Sequence, residues 1–253
     1  MKTIFLGLFV LMLVSSCTSK KDILYMQNAD LQNEKAIIYQ NTTIQPNDIL
    51  KITVESLMPL AALPYNKNAG QPVQQNNIDL IKLEGYLVSS NYEINFPVLG
   101  TISLKSLSVS DAETFIANQL IDGGHLNDAR VSVRVVNAKV SVLGEVSKPG
   151  TYTFTEQNIT LLQALGYAGD LTINGQRDNV LVTREVDGVR QVAHIDLTSA
   201  DFMDSEFYYV KPNDVIVINQ NNPKVKSAGF VGNVGTVLTI FSLLLSTTIL
   251  LTR

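Results

Sequence analysis

The sequence predicts an α+β fold of two small units, with a polar N-terminal segment and an uncharged C-terminal helix. Three observations lead to this prediction. Runs that alternate apolar and polar residues, rich in β-branched side chains, predict strands within residues 41–137 and again within 138–222. Each of these stretches also holds one helical segment that opens on a capping-box pattern and ends at glycines. No charged residue lies between Lys226 and Arg253.

Residues 1–16 have the pattern of a secretory signal peptide. Lys2 precedes an uncharged apolar run, Ile4–Val14, which is shorter than the ~20 residues that a membrane-spanning helix needs. The stretch Val14–Cys17 resembles a lipobox, so we expect cleavage before Cys17 and acylation of its thiol. An ordinary signal peptide with a cysteine near the cleavage point is the alternative. Cys17 is the only cysteine, so it has no disulfide partner within the chain.

The next segment, residues 17–40, is polar with scattered apolar positions, and we interpret it as a lipidated tether. The net charge of the whole chain is −4 at pH 7. Such mild acidity gives no support to nucleic-acid binding, which requires a basic surface.

The first unit, residues 41–137, begins with a strand at Asp48–Ser56. Leu57–Asp79 is rich in proline, asparagine and glutamine, and we interpret it as a mobile loop. Glu84–Ser90 and Glu93–Val98 are predicted to pair as two strands around a turn at Ser90 and Asn91.

The helix of the first unit is expected to open on a capping box at Ser110–Glu113. Its apolar face is formed by Ala112, Phe115, Ile116 and Leu120. Gly123 and Gly124 end it, and Arg130–Asn137 alternates as a further strand.

The second unit, residues 138–222, is also predicted to contain several strands and one capped helix, but its sequence differs from that of the first unit. Thr160–Gln163 is a second capping box, and Asp187-Gly188 is a strong hairpin signal. The predicted strands are Lys139–Val146, Thr151–Thr155, Asn179–Arg184, Gln191–Asp196 and Val215–Asn219. Several strands and one helix in such a short stretch suit a β-grasp-like unit.

The C-terminal segment, residues 226–252, predicts a helix, and its apolar part from 228 to 251 is 24 residues long. That length would cross a ~30 Å hydrocarbon core. One side of the helical wheel carries small and hydroxyl residues, which include Asn233 (at its margin), Thr236, Thr239, Ser242 and Ser246. A lone membrane anchor, a buried core helix and a pore-lining or ring-packing helix are the possible interpretations. Nothing follows to cover a core helix, and periodicity cannot separate the other two.

No catalytic constellation is evident in the sequence. His125 and His194 are the only histidines, and neither has a metal-ligand spacing. We expect His125 in an exposed loop, His194 in a sheet, and Asp201 and Asp204 on a solvated surface. The phosphate-binding, dinucleotide-binding and nucleophile-elbow motifs are also lacking, so we predict a non-enzyme without a cofactor.

Several motifs, taken in order, resemble the polysaccharide biosynthesis/export family of outer-membrane lipoproteins. The family's P-G-D-x-L corresponds to Pro46–Leu50, with Asn47 where glycine is usual. Its G-x-hydrophobic-V and F-P-x-x-G motifs correspond to Gly85–Val88 and Phe96–Gly100. The second unit resembles the soluble-ligand-binding β-grasp (SLBB) domain, with matches at Val142–Tyr152, Leu162–Asp170 and Val210–Ile218.

The resemblance implies a polysaccharide-export domain, an SLBB β-grasp domain and a C-terminal transmembrane α-helix. Members of the family form homo-oligomeric rings whose C-terminal helices cross the outer membrane together. The lipid anchor at Cys17 would hold a periplasmic body, the C-terminus would reach the cell surface, and Asn233, Thr236, Thr239, Ser242 and Ser246 would face the lumen. Expected partners are the exported polysaccharide, outer-membrane lipid and an inner-membrane co-polymerase with or without a tyrosine-kinase domain. A glycan-binding lipoprotein without a channel and an envelope enzyme are the competing hypotheses.

Overall fold

The computed structural model describes residues 20–31, 34, 42–67, 78–227 and 234–251. Buried apolar side chains in this part of the chain form two separate clusters, a first core between Ile44 and Val133 and a second core between Ala138 and Ile218. We call the elements around them the first unit and the second unit. The mixed α and β character predicted from the sequence is confirmed, while the domain boundaries given above remain predictions.

The first unit is built on a three-stranded antiparallel sheet with β1 (Ile49–Glu55) at its centre. Its neighbours are β2 (Tyr86–Leu87) and β5 (Arg130–Val135). A hairpin of β3 (Glu93–Phe96) and β4 (Gly100–Ser103) lies beside it. The helices are α1 (Pro59–Ala62), α2 (Ile78–Glu84) and α3 (Val109–Asp122).

Alternation along β1 explains which of its faces is buried. Leu50, Ile52 and Val54 point into the first core, while Lys51 and Glu55 are exposed. Successive side chains of a strand point to opposite faces, so this pattern specifies both the strand and its register. On α3, three predicted face residues are fully buried against the same core: Ala112, Ile116 and Leu120.

Two sequence predictions for the first unit are wrong. Glu84–Ser90 and Glu93–Val98 do not form one strand pair, because β2 pairs with β1 and β3 pairs with β4. The Leu57–Asp79 segment is not wholly a loop, since it contains α1 and a 3-10 turn at Leu63–Tyr65. Ala62 and Tyr65 are buried in the first core, whereas residues 68–77 lie outside the described part.

The capping box of α3 lies two residues earlier than predicted. Ser108 is the N-cap, and its Oγ accepts a hydrogen bond from the Asp111 N–H at 3.1 Å. The Asp111 carboxylate accepts in return from the Ser108 N–H at 3.2 Å. Glu113 has another role, because its Oε1 accepts from the N–H of Val133 on β5 at 2.9 Å. The sequence pattern was ambiguous because two serines precede acidic residues at similar spacing.

Ser108→Ala is expected to lower the free energy of unfolding by about 1 kcal/mol, since helix N-caps contribute ~0.5–2 kcal/mol. Urea unfolding followed by circular dichroism measures the change. Ser110→Ala is the matched control, and it should change the unfolding free energy by less than about half as much. Equal effects of the two substitutions would contradict the assignment of Ser108 as the cap.

The described second unit consists of a five-stranded sheet, a short strand pair, one α-helix and a 3-10 helix at Ala200–Asp204. The strand order is β10 (Val189–Ile195), β9 (Val180–Val186), β12 (Val215–Ile218), β6 (Lys139–Gly144) and β7 (Gly150–Thr153). β6 and β12 are parallel and the other neighbours are antiparallel. β8 (Ile159–Thr160) pairs with β11 (Tyr209–Val210), and α4 (Leu161–Tyr167) packs on the second core.

Two turn signals of the second unit are confirmed. Thr160 and Gln163 form the predicted capping box at the start of α4. Asp187 and Gly188 form the tight turn between β9 and β10, with φ angles of +52° and +76°. Positive φ at both central residues is the geometry that favours Asp-Gly in two-residue hairpins.

A buried ion pair, which the sequence did not indicate, joins β9 to the loop before β12. The Arg184 side chain is 2% exposed and that of Asp214 is fully buried. The guanidinium donates to both carboxylate oxygens, with Nη2 to Oδ2 at 2.7 Å, and to the carbonyls of Glu206 and Tyr209. Burial raises the pKa of Asp214, and the arginine opposes that shift. Each buried charge of the pair is therefore stabilised by the opposite charge of its partner.

The C-terminal part contains two helices, α5 (Asn222–Ser227) and α6 (Val234–Leu251). Among the described residues, no helix is both long enough and apolar enough to cross a bilayer. The predicted transmembrane helix at 226–252 is thus not supported. The described part of the predicted segment consists of residues 226–227 and 234–251, and residues 228–233 and 252 lie outside it.

Candidate functional site

The residues predicted to act at the membrane are only partly described. Cys17 and Asn233 lie outside the described residues. Thr236, Thr239, Ser242 and Ser246 all lie on α6, where the last three are exposed and Thr236 is half-buried. The structure therefore places four of the six predicted site residues on one helix.

Hydroxyl groups of α6 donate to their own helix backbone. Thr239 Oγ1 donates to the Gly235 carbonyl at 2.8 Å, and Ser242 Oγ donates to the Thr239 carbonyl at 2.9 Å. Thr247 Oγ1 donates to the Leu243 carbonyl at 2.9 Å. This intrahelical bonding is the usual alternative to an outside partner for serine and threonine within a helix. The proton of each of these hydroxyls is used in the intrahelical hydrogen bond. The hydroxyl oxygen can still accept a weak hydrogen bond from another group.

The same helix carries exposed apolar side chains. Leu243 is 60% exposed and Leu250 is 82% exposed, and the others are Leu238, Ile240, Phe241 and Ile249. None of the described α6 side chains belongs to the first or the second core. An apolar surface of this kind in water is a sign of association with a protein partner or with lipid.

A three-residue clasp joins the two units at the β9–β10 turn. Gln45 Nε2 donates to Asp187 Oδ1 at 3.3 Å, and the Asp187 N–H donates to Gln45 Oε1 at 3.1 Å. The Tyr92 hydroxyl donates to the same Asp187 oxygen at 3.2 Å. The hairpin of the second unit is thereby held against the first unit.

A cavity of about 70 Å³ lies in the seam between the units. Ile44, Asp48 and Ser108 line it from the first unit, and Phe154 and Pro212 line it from the second. Asp48, which stands in the family's P-G-D-x-L motif, is 3% exposed. Its Oδ2 accepts from the Gln45 N–H at 2.9 Å, and burial raises its pKa to about 6.

Asp48 is expected to make the chain less stable as the pH rises from about 4 to about 6. The pKa of Asp48 is higher in the folded state than its ordinary value, so the folded state binds the proton more tightly than the unfolded state does. The stability that this proton binding contributes is lost as the pH rises through about 6. Two pKa units correspond to at most about 3 kcal/mol. Urea unfolding across this range, compared between the wild type and Asp48→Asn, measures the effect. The same pH slope in both proteins would contradict it.

The titratable residues considered for catalysis are dispersed. His125 is exposed after α3, and His194 on β10 shares a hydrogen bond with Asn179 at 2.6 Å, as the sequence predicted for a satisfied sheet residue. Asp201 and Asp204 are exposed. In the described ranges, no group of three or more histidine, cysteine, aspartate or glutamate side chains could hold a metal ion.

Residues 38–136 match the family model of polysaccharide biosynthesis/export proteins, and residues 138–218 match that of the SLBB domain. The chain thus contains a polysaccharide biosynthesis/export domain followed by an SLBB domain. The first of these two models describes export proteins and not a family of enzymes.

Two curated relatives are similar to part of the chain. The EPS I polysaccharide export outer membrane protein EpsA of Ralstonia solanacearum is 30% identical over 104 residues, which are 40% of this chain and 27% of that protein. The protein of the same name from Ralstonia nicotianae is 30% identical over 106 residues, with the same coverage. The chain thus spans about a quarter of the length of these relatives.

Proposed function

We propose that this chain is the subunit of an outer-membrane ring that conducts a polysaccharide from the periplasm to the cell surface. The match of residues 38–136 to the export-family model supports the polysaccharide as the cargo. The similar Ralstonia proteins are described as polysaccharide export outer membrane proteins, which supports the outer membrane as the location. The first unit would serve as the export domain and the second unit as the SLBB β-grasp domain.

The observation that carries the proposal is the surface of α6. Its exposed apolar side chains, such as Leu243 and Leu250, belong to neither core of the described residues, and contact with other subunits and with lipid would cover them. The hydroxyls of Thr239 and Ser242 donate to carbonyls of their own helix, which lets helices pack closely in an apolar setting. Copies of α6 gathered around a common axis, with lipid on the outside, would cover both kinds of surface.

In this assembly the polymer would pass along the hydroxyl-bearing side of the helices. Asn233, Thr236, Thr239, Ser242 and Ser246 would offer many weak contacts and no strong one. Conduction requires that a cargo leave each site as easily as it enters. Ile240 and Leu243 lie close to the hydroxyl-bearing side on the helical wheel, so the polar surface offered to the polymer would be narrower there. The protein would act passively, and an inner-membrane co-polymerase, with or without a tyrosine-kinase domain, would supply the driving force.

Cys17 would carry the acyl chains that direct the subunit to the outer membrane.

Deleting the gene in its host should abolish surface polysaccharide and leave polymer inside the envelope. Surface labelling with a polysaccharide-specific antibody, before and after permeabilisation, measures both pools. Restoration by the wild-type gene is the control, and normal surface polymer in the deletion strain would refute the export role.

A further inference from the structure

A large cavity lies beside β1 at the point where β2 ends. β2 pairs with β1 at Ile49 and Leu50, and further along β1 the side chain of Asn66 takes the place of a partner strand. Asn66 Oδ1 accepts from the Val54 N–H at 2.8 Å, and its Nδ2 donates to the Val54 carbonyl at 2.9 Å. Between these two contacts lies a cavity of about 500 Å³, which we call the β1 cavity. Its volume is within the ~300–1,000 Å³ of small-molecule sites.

A buried hydroxyl in the wall of the β1 cavity has no hydrogen-bond partner. Tyr86 lines the cavity and is 3% exposed, and its hydroxyl makes no hydrogen bond within the described part of the chain. Burial raises the pKa of this hydroxyl to about 12. The N–H of Lys67, another residue of the cavity wall, is near enough to oppose that shift but lies outside hydrogen-bond geometry. A buried hydroxyl without a partner is costly, so Tyr86 indicates a group that enters through the cavity.

The Tyr86 ring is held in place by two neighbours. It stacks on the Phe96 ring with the centroids 5.6 Å apart, and the Lys67 ammonium lies 4.1 Å from the Tyr86 centroid. Lys67 Nζ also donates to the Gly85 carbonyl at 2.9 Å, which fixes the lysine in turn. The hydroxyl therefore stays at the cavity wall.

The exposed face of the sheet next to the β1 cavity is basic. Lys51 lines the cavity, and the residue directly opposite it on β5 is Arg134. Both side chains are exposed, and neither has an ion-pair or hydrogen-bond partner among the described residues. Lys67 adds a third cation, and Glu84 is the carboxylate of the described lining. An anion is therefore favoured in this cavity.

The pairing of like charges is confined to this part of the sheet. Further along the same face Thr53 lies opposite Ser132, and Glu55 lies opposite Arg130. Opposite charges across two strands stabilise a sheet, whereas like charges destabilise it. The neighbouring positions of Lys51 and Arg134 thus have no benefit for folding, and a bound anion would relieve their repulsion.

We propose that the β1 cavity binds a carboxylate-bearing sugar residue of the exported polysaccharide. Lys51 and Arg134 hold the carboxylate through charge-assisted hydrogen bonds, and the Tyr86 hydroxyl bonds to a sugar hydroxyl. A bare inorganic anion would leave the Tyr86 hydroxyl and most of the cavity without contacts. The proposal rests on the proposed export function and adds to it the chemical class of the cargo, an acidic polymer.

Calorimetry with two matched probes tests the ligand class. Purified full-length protein in mild detergent is titrated with hexagalacturonate and with its methyl ester, which lacks the carboxylate charges. We expect the acid to bind about tenfold more tightly than the ester, since one hydrogen bond to a charged group contributes roughly that factor. Equal affinities, no binding of either probe, or displacement of the acid by an equal concentration of inorganic phosphate would overturn the proposal.

Two arginine variants place the carboxylate on the sheet. Arg134→Gln should weaken binding of the acid about tenfold and leave binding of the ester unchanged. Arg130→Gln removes the same charge from the same face of β5, about 13 Å further along the strand, and should change either affinity by less than about twofold. Equal losses in the two variants would show an effect of overall charge and would contradict the site.

Tyr86→Phe tests the buried hydroxyl. We expect the urea midpoint of the ligand-free protein to rise, because an unpartnered buried hydroxyl is removed, and binding of both probes to weaken about fivefold. A lower midpoint with unchanged affinities would show that the hydroxyl serves the fold and not a ligand. Surface polysaccharide is measured separately in the host, so loss of this site and loss of the export role give different results.

Discussion

Replacing Asp214 with alanine is expected to lower the free energy of unfolding by about 3–5 kcal/mol, because it leaves the buried Arg184 guanidinium without its counter-charge. The arginine is 2% exposed, so water cannot take the place of the lost carboxylate. Its remaining hydrogen bonds, to the Glu206 and Tyr209 carbonyls, neutralise no charge. Such a loss is a large part of the 5–15 kcal/mol that usually stabilises a domain.

Urea unfolding at neutral pH measures this effect, and the chain contains a matched control. Arg190 and Glu185 also form an ion pair, but their side chains are 70% and 63% exposed. Glu185→Ala should cost less than about 1 kcal/mol, since exposed ion pairs are solvated and contribute little. Similar losses in Asp214→Ala and Glu185→Ala would show that the buried pair does not hold β9 to the loop before β12.

Loss of polymer export is expected when a bulky polar reagent reacts with a cysteine at Thr239 or Ser242 in the assembled protein. If this side of α6 lines the path, the attached group occupies the route of the polymer. Cys17 would be acylated and would not react, so the introduced thiol is the only target. Cysteine has nearly the size of serine, which makes Ser242→Cys a mild change before labelling.

Phe241→Cys is the control for the labelling experiment, because residue 241 lies on the opposite side of the helical wheel. Surface polysaccharide is measured before and after a membrane-impermeant thiol reagent is added. We expect rapid labelling and loss of export at positions 239 and 242, with slow labelling and continued export at 241. Labelling at equal rates on both sides would contradict the lumen-facing assignment.

The strands and short-range turns were predictable because their signals are local. The alternation of Leu50, Ile52 and Val54 specifies β1, and Asp187-Gly188 specifies its turn through the positive φ angles that it tolerates. Thr160 and Gln163 cap α4 as expected, because capping depends only on residues three apart.

The long-range features could not be predicted, because they join residues that no sequence period relates. Arg184 meets Asp214 across 30 positions, and Asn28 meets Ala200 across 172. The pairing of β3 is a similar case. The sequence predicted that it pairs with the preceding strand, Glu84–Ser90, but it pairs with the following strand, β4, and tertiary packing decides between these two neighbours. On α6, the sequence shows the hydroxyl residues, but only the structure shows that the hydroxyls of Thr239 and Ser242 donate to carbonyls of the same helix.

Electron microscopy of the full-length protein, extracted from membranes in mild detergent, tests the central claim most directly. The proposed function predicts closed rings of identical subunits, with α6 helices gathered about the ring axis and the two units forming the surrounding body. Particles that are uniformly monomeric at all protein concentrations, in a preparation whose Cys17 is acylated, would contradict the ring. They would favour a glycan-binding lipoprotein that forms no channel.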